Sequence, residues 1–147
     1  MSQRSEGFII KKVDSSEIKF LLECYDLPTS DLNPVQSIFL GVFKSERLIG
    51  CIGIEKIAEL ALLRSLVVQA DFRKQGLGIL LTNTILKEAK ERSLFEVYLL
   101  TTDAEPFFEK AGFSKIVKNK TPDVVKKTKQ YSEICSDSAV VMKIDLT

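Results

Sequence analysis

The stretch RSLVVQADFRKQGLGILLTNTILKEAKE (64–91) sets two glycines, Gly76 and Gly78, between an apolar run that suits a buried strand and an apolar-striped run that suits a helix. That order of elements constrains the fold more than any other feature. With the strands and helices that follow, it opens a β-α-β-α-β run behind an antiparallel front half, which reads as a mixed α/β or α+β domain. The turn itself raises a chemical question. The first turn of a helix leaves backbone N–H groups unpaired, and the aligned peptide dipoles favour an anion there. Glycine lets a phosphate approach because no Cβ stands in the way. Arg73 and Lys74 precede the glycines and add positive charge. Two familiar phosphate motifs are excluded: there is no GxxxxGK[ST], and Gly78 is followed by Ile79, Leu80 and Leu81, so GxGxxG fails. On the motif alone, a phosphate cradle and a merely structural glycine turn stand level.

The rest of the chain alternates elements without repeat, low-complexity segment or linker. A first strand is expected over 7–13 and a helix over 15–25, with Asp14 and Glu17 as a capping box and Ile18, Leu21 and Leu22 as its apolar face. Residues 27–35 carry two prolines and read as a loop. Runs 37–43 and 48–57 flank the polar turn KSER as an antiparallel hairpin, and 59–68 follows as a central strand. After the glycine turn and its helix come a strand (95–101), a helix (103–111), a strand (112–118), a helix from Pro122 to about Glu133, and a closing strand (139–145). The expectation is a single domain over 1–147 of α/β (α+β) class. Its mixed central sheet has an antiparallel N-terminal half and is flanked by about four helices.

Composition excludes several functions. A net charge of +1, from 21 basic and 20 acidic residues, gives no basic face for nucleic acid, and Lys126, Lys127 and Lys129 read as a solvated helix face. No stretch suits a signal peptide or a membrane span, so a cytoplasmic location is expected. Three cysteines, Cys24, Cys51 and Cys135, lack metal-ligand spacing, and no metal is expected. Histidine is absent, so proton chemistry falls to carboxylates, Tyr, Cys, Lys or water.

Two segments together, RSLVVQADFRKQGLGILLTNTILKEA and VYLLTTDAEPFFEKAGF, resemble the GNAT superfamily of acyl-CoA-dependent N-acyltransferases. In that family an apolar strand ends in a V-x-[RQ]-x-x-G-x-[GA] type turn before a helix, and the next strand leads to a helix ending in Gly-Phe. The likeness is good over about 37–118 and looser at the ends. LLRS, YLLTTDAEPFFEKAGF and the tail around Cys135 further resemble small GNAT proteins of arsenic-resistance operons, although Ser136 stands where proline is expected.

The resemblance implies acetyl-CoA as cosubstrate. The nucleotide end would lie near Arg73 and Lys74, the pyrophosphate on backbone N–H groups of Gln75, Gly76, Leu77, Gly78 and Ile79, and the pantetheine arm along Leu66, Val67 and Val68. The Leu66 or Val67 N–H would serve as oxyanion donor. For the amine acceptor, Glu55 is the candidate base and Arg64 the candidate partner of a substrate carboxylate. Glu55 could equally be an outward-facing strand residue, and Arg64 could instead form a structural ion pair with Glu55. Thr101 and Thr102 could bind substrate or simply end a strand and cap a helix, and Tyr131 and Cys135 could approach the acceptor. Where many GNAT enzymes place a tyrosine that protonates the departing thiolate, this chain has Phe108. The expected activity is acetyl transfer to a small, amino-acid-like amine. A non-catalytic acyl-CoA-responsive module is the alternative, and a homodimer is a family expectation.

Overall fold

The structure, a computed structural model, describes residues 2–5, 7–27, 29, 37–134 and 139–147. Eight strands form one sheet in the order β1-β2-β3-β4-β5-β6-β8-β7. These are β1 (Ser2–Ser5), β2 (Phe8–Val13), β3 (Ser37–Lys44), β4 (Arg47–Ile57), β5 (Leu60–Val68), β6 (Glu96–Thr101), β7 (Ser114–Ile116) and β8 (Val140–Asp145). Every pairing is antiparallel except that of β5 with β6. The helices among the described residues are α1 (Ser15–Cys24), α2 (Leu77–Glu91), α3 (Glu105–Lys110), α4 (Asp123–Lys126) and α5 (Lys129–Ile134).

Local chemistry accounts for most boundaries. The β3–β4 hairpin turns on Ser45 and Glu46 at φ +50° and +67°, the paired left-handed conformations that match the twist of a two-residue hairpin. Helix α1 starts on the Asp14/Glu17 capping box. It stops at Asp26 in the left-handed conformation (φ +57°), where the Leu27 N–H donates to the Leu22 carbonyl and the Asp26 N–H to that of Glu23. Those two bonds make a Schellman end. The sheet's two faces carry separate cores. One, under α2 and α3, gathers Ile52, Ile54, Leu63, Leu81, Ile85, Leu99, Phe108 and Phe113. On the other, Phe39, Cys51 and Val67 pack with Ile18, Leu21 and Leu22 of α1, while Leu62, Tyr98, Leu100 and Val141 pack with Val125 and Tyr131.

Three expectations need correction. Strand β1 extends the sheet ahead of the anticipated first strand. The strand expected over 112–118 is only three residues long. The helix expected from Pro122 to Glu133 is two helices, which brings the α-helices among the described residues to five, beside an expected four or so. Thr128 breaks it: its hydroxyl donates to the Val125 carbonyl at 2.7 Å and accepts the Tyr131 N–H at 3.1 Å, capping α5 in place of continuing α4.

The pairing of β5 positions everything that follows. Along β4 it is matched from Leu60 to Val68, whereas along β6 only Ala61↔Val97 and Leu62↔Tyr98 pair. Beyond Leu62 the two strands part, and the β6-facing edge of β5 is left open up to the turn that starts α2.

Candidate functional site

The opening between β5 and β6 leads into a cavity of about 750 Å³, a size suited to a cofactor or substrate. Its lining comes from Leu66 and Val68 at the end of β5, Phe72, Arg73, Lys74 and the run from Gly76 to Ile79, and Asp103, Ala104, Pro106, Phe107 and Lys110 around α3. Of the cofactor residues singled out from the sequence, Val67 and Gln75 are not among the lining, and Val67 packs on the α1 face.

The two glycines have different reasons. Gly76 adopts φ +78° as the residue before α2, and a Cβ there would meet nothing within 4 Å. It supplies a left-handed turn and leaves open space above it. Gly78 has ordinary backbone, but a Cβ would lie 3.1 Å from Cζ of Phe107. Its bareness lets α3 close against the first turn of α2. Lys74 also takes a left-handed backbone, φ +66°. The Leu80 N–H donates to the Gly76 carbonyl at 3.0 Å and opens the helical ladder. The N–H groups of Leu77, Gly78 and Ile79 lie ahead of it, at the positive end of the helix dipole and against the cavity. With Lys74 and Lys110 at the rim, this is an arrangement that can hold a pyrophosphate.

Upstream, β5 carries a bulge. Cys51 of β4 pairs with Val67 and Gly53 with Arg64, so Ser65 and Leu66 together oppose Ile52 alone. Ser65 takes φ +64° to make the extra step. The bulge resets the alternation: Leu63 and then Leu66 and Val68 belong to the α2 face, while Val67 belongs to the α1 face. Two side chains hold it. The Cys51 thiol donates to the Ser65 carbonyl at 3.3 Å, and the Arg64 Nε donates to the Ser65 hydroxyl at 3.1 Å. Burial pushes the Cys51 thiol up to about 12, partly offset by a hydrogen bond with the Val67 backbone, so it stays protonated and does not act as a nucleophile at neutral pH.

Glu55 and Arg64 come together. Arg64 Nη1 lies 3.4 Å from Glu55 Oε1, with the Arg64 side chain 1% exposed and that of Glu55 19% exposed. The ion pair that the sequence left as one of two readings is thus present. Thr101 is buried and its hydroxyl accepts the Ala104 N–H at 3.0 Å, so it caps the approach to α3, while Thr102 is exposed. Tyr131 packs against the core that holds Leu62, on the face opposite α2. Cys135 lies outside the described residues. Phe108 is buried between Phe107 and Phe113, with ring centroids at 5.1 and 5.8 Å, and the ring that reaches the cleft is Phe107. Sequence reasoning missed Phe107 and Lys110. Their signal was the three-residue spacing that puts both on one side of a short helix. Among the described residues no group of three or more His, Cys, Asp or Glu side chains could hold a metal, and no helix is long and apolar enough to cross a membrane.

Comparison with known proteins agrees with this geometry. The profile of the acetyltransferase (GNAT) family matches residues 10–113. An uncharacterised N-acetyltransferase of Chlorobaculum tepidum is 32% identical over 92 residues, covering 62% of this chain and 58% of that protein. An amino-acid acetyltransferase of Photobacterium profundum is 41% identical over 59 residues, 40% of this chain and 13% of that protein. The chain thus spans less than two thirds of either curated relative. Among solved structures, N-acetylglutamate synthase from Neisseria gonorrhoeae, complexed with coenzyme A and N-acetylglutamate, shares the fold. It superposes with a TM-score of 0.78 at 15% identity, over 98% of this chain and 36% of that one.

Proposed function

Because this chain belongs to the GNAT acetyltransferase family, we propose that it moves the acetyl group of acetyl-CoA to the amine of a small, amino-acid-like acceptor by direct attack. The observation that carries the proposal is the cleft running without interruption from the open edge of β5 to the N-terminus of α2. In this reading the pyrophosphate takes the backbone N–H groups from Gln75 to Ile79. The pantetheine arm lies along Leu66, Val67 and Val68 as a pseudo-strand, and Leu66 N–H meets the developing oxyanion.

Transfer needs a neutral amine, and an alkyl amine with a pKa of about 10 is mostly protonated at pH 7. The amine nitrogen attacks the thioester carbonyl, the C–N bond forms, the C–S bond breaks, and CoA leaves as thiolate. Glu55, directly or through a water, takes the ammonium proton before attack, and the second proton, lost from nitrogen as the C–N bond forms, passes to solvent. Neither Phe107 nor Phe108 can protonate the leaving sulfur, so the thiolate takes its proton from solvent. The second role of Arg64, beyond its pair with Glu55, is to meet a carboxylate on the acceptor. Thr101, Thr102, Tyr131 and Cys135 stand as further acceptor contacts. An amino-acid-like acceptor is supported by the two relatives named for amino-acid chemistry. The likeness to arsenic-operon proteins adds amino acids bearing an organoarsenical or phosphinic group to the acceptors worth testing, and a cytoplasmic location fits such substrates.

The test is calorimetric binding of acetyl-CoA followed by thiol release with the twenty amino acids, their methyl esters, and phosphinic and organoarsenical analogues. Binding with turnover on an acid but not its ester supports the proposal. Binding without turnover on any amine favours the non-catalytic acyl-CoA-responsive module. No binding at millimolar acetyl-CoA rejects both.

A further inference from the structure

Arg73 was expected at the nucleotide end of the cofactor, yet the structure gives its guanidinium other partners. Its Nε donates to the Val68 carbonyl, the last of β5, at 2.9 Å, and its Cζ stands 5.4 Å from the centroid of the Tyr25 ring. Tyr25 has a second link to the same segment, because its hydroxyl accepts the Ala70 N–H at 3.2 Å. Tyr25 is itself held in place as the residue at which α1 ends, by the Schellman bonds at Asp26 and Leu27.

The turn between β5 and the cradle is fixed from other directions too. The Gln69 N–H donates to the Ile49 carbonyl at 2.8 Å, and Arg47 Nη2 donates to the Gln69 side chain at 3.2 Å. Phe72 meets Phe8 edge-on at 6.3 Å. Everything up to Arg73 is anchored. The next side chain tied down is Leu77, buried in the core, and between it and Arg73 the chain needs two left-handed residues, Lys74 and Gly76. Where Arg73 hands over to Lys74 therefore decides how the cradle's N–H groups are aimed.

We infer that Tyr25 and Arg73 are positioning residues for the cofactor loop, acting as a clamp between the end of α1 and the end of β5 that orients the N–H groups of residues 75–79, with Arg73 serving by its fork and ring contact more than as a phosphate ligand. The inference rests on the reading of the cleft as an acetyl-CoA site. It separates Arg73 from Lys74: a clamp needs the planar, Nε-bearing guanidinium, which lysine cannot replace. A phosphate ligand needs only the charge.

The experiment measures acetyl-CoA dissociation constants and melting temperatures for wild type, Tyr25→Phe, Tyr25→Leu, Arg73→Lys and the double variant Tyr25→Leu/Arg73→Lys. Loss of a hydrogen bond or a cation–π contact of ordinary strength weakens binding about fivefold, so Tyr25→Leu and Arg73→Lys should each show that loss. Tyr25→Phe keeps the ring and gives up only the exposed bond from the Ala70 N–H, which water can replace, so it should lose about twofold. The double variant should be little worse than either single one, since both remove the same clamp. Melting temperatures that stay near wild type would place the effect on the loop and not on global stability. Full affinity in Arg73→Lys, or losses that multiply in the double variant, would overturn the clamp while leaving acetyl-CoA binding intact. Absence of acetyl-CoA binding in the wild type would remove the functional reading and the clamp with it.

Discussion

The proposed cofactor region and the proposed acceptor region are made of different materials. On the cofactor side the working groups are backbone: the open edge of β5 beyond Leu62, the N–H groups ahead of Leu80, and two left-handed residues that turn the chain between them. Side chains there, Lys74 and Lys110, stand at the rim. In the proposed acceptor region the groups are side chains already engaged with one another, and none of them lines the cavity: Arg64 with Glu55 and Ser65, and Thr101 with the amide of Ala104. A backbone site tolerates most side-chain changes but no change of φ. A side-chain site tolerates neither the loss of a partner nor the loss of a register. The two sides should therefore fail differently when mutated.

The largest difference is expected at Arg64. Arg64→Ala removes the buried guanidinium from the Glu55 carboxylate and the Ser65 hydroxyl. It should cost about 3 kcal/mol in urea unfolding, the low end for breaking a buried pair because Glu55 keeps part of its side chain in water. Any acceptor activity should vanish with it. Lys74→Ala, the matching charge deletion in the cofactor region, should leave the unfolding midpoint within about 0.5 kcal/mol and lower only acetyl-CoA affinity. Equal stability losses at both positions would erase the distinction.

Next in size is Gly76→Ala. There is room for the methyl group, so the cost comes from holding a non-glycine residue at φ +78°, about 1–2 kcal/mol. A bulky residue such as Val at this position would be strained before any ligand arrived, so it cannot report on phosphate binding by itself. Gly78→Ala should cost about 1 kcal/mol for the opposite reason, a Cβ that presses on the Phe107 ring. Phe107→Leu should recover part of that loss at position 78 and none at position 76, a double-mutant cycle read by thermal melting.

How much of each side could be read from the chain follows from the same contrast. The cofactor side was legible because backbone requirements leave marks in sequence: a glycine where φ is positive, an apolar strand before it, a striped helix after it. The β3–β4 hairpin was legible too, although its left-handed turn uses Ser45 and Glu46 with no glycine at all. The acceptor side was legible only as open readings. Glu55 and Arg64 lie nine residues apart, and the two-residue turn at Ala58 and Glu59 sets the β4–β5 register that brings them to 3.4 Å, with the bulge beginning just past Arg64. No local pattern announces that bulge, because Ser65 takes the left-handed conformation without the glycine that would mark it. The break between α4 and α5 escaped for a similar reason. Thr128 in a helical run reads as a tolerable residue until its hydroxyl is seen to cap the next helix. Adjacent phenylalanines posed the last ambiguity: composition cannot say that Phe108 turns into the core and Phe107 into the cleft.

Cys51 joins the two sides, since a side chain there grips the backbone of the bulge, and it offers the finest test. Cys51→Ser keeps a donor for the Ser65 carbonyl but buries a more polar group, which should cost about 1 kcal/mol at pH 7. The gap between wild type and variant should then close as the pH rises. In the unfolded chain the thiol ionises from its ordinary value of 9.0, whereas in the folded protein burial defers ionisation to about 12. A raised folded value means stability that is complete below pH 9 and lost on the way to pH 12, at a limiting slope of about 1.4 kcal/mol per pH unit. Serine has nothing to ionise in that range, and the tyrosines and lysines that titrate alongside are common to both proteins and cancel in the difference. Urea unfolding at pH 7, 9 and 10 should show the wild type's advantage shrinking to nothing near pH 10. A gap that stayed constant would mean that water reaches the thiol, and a bulge open to water would undercut the oxyanion role proposed for the Leu66 N–H.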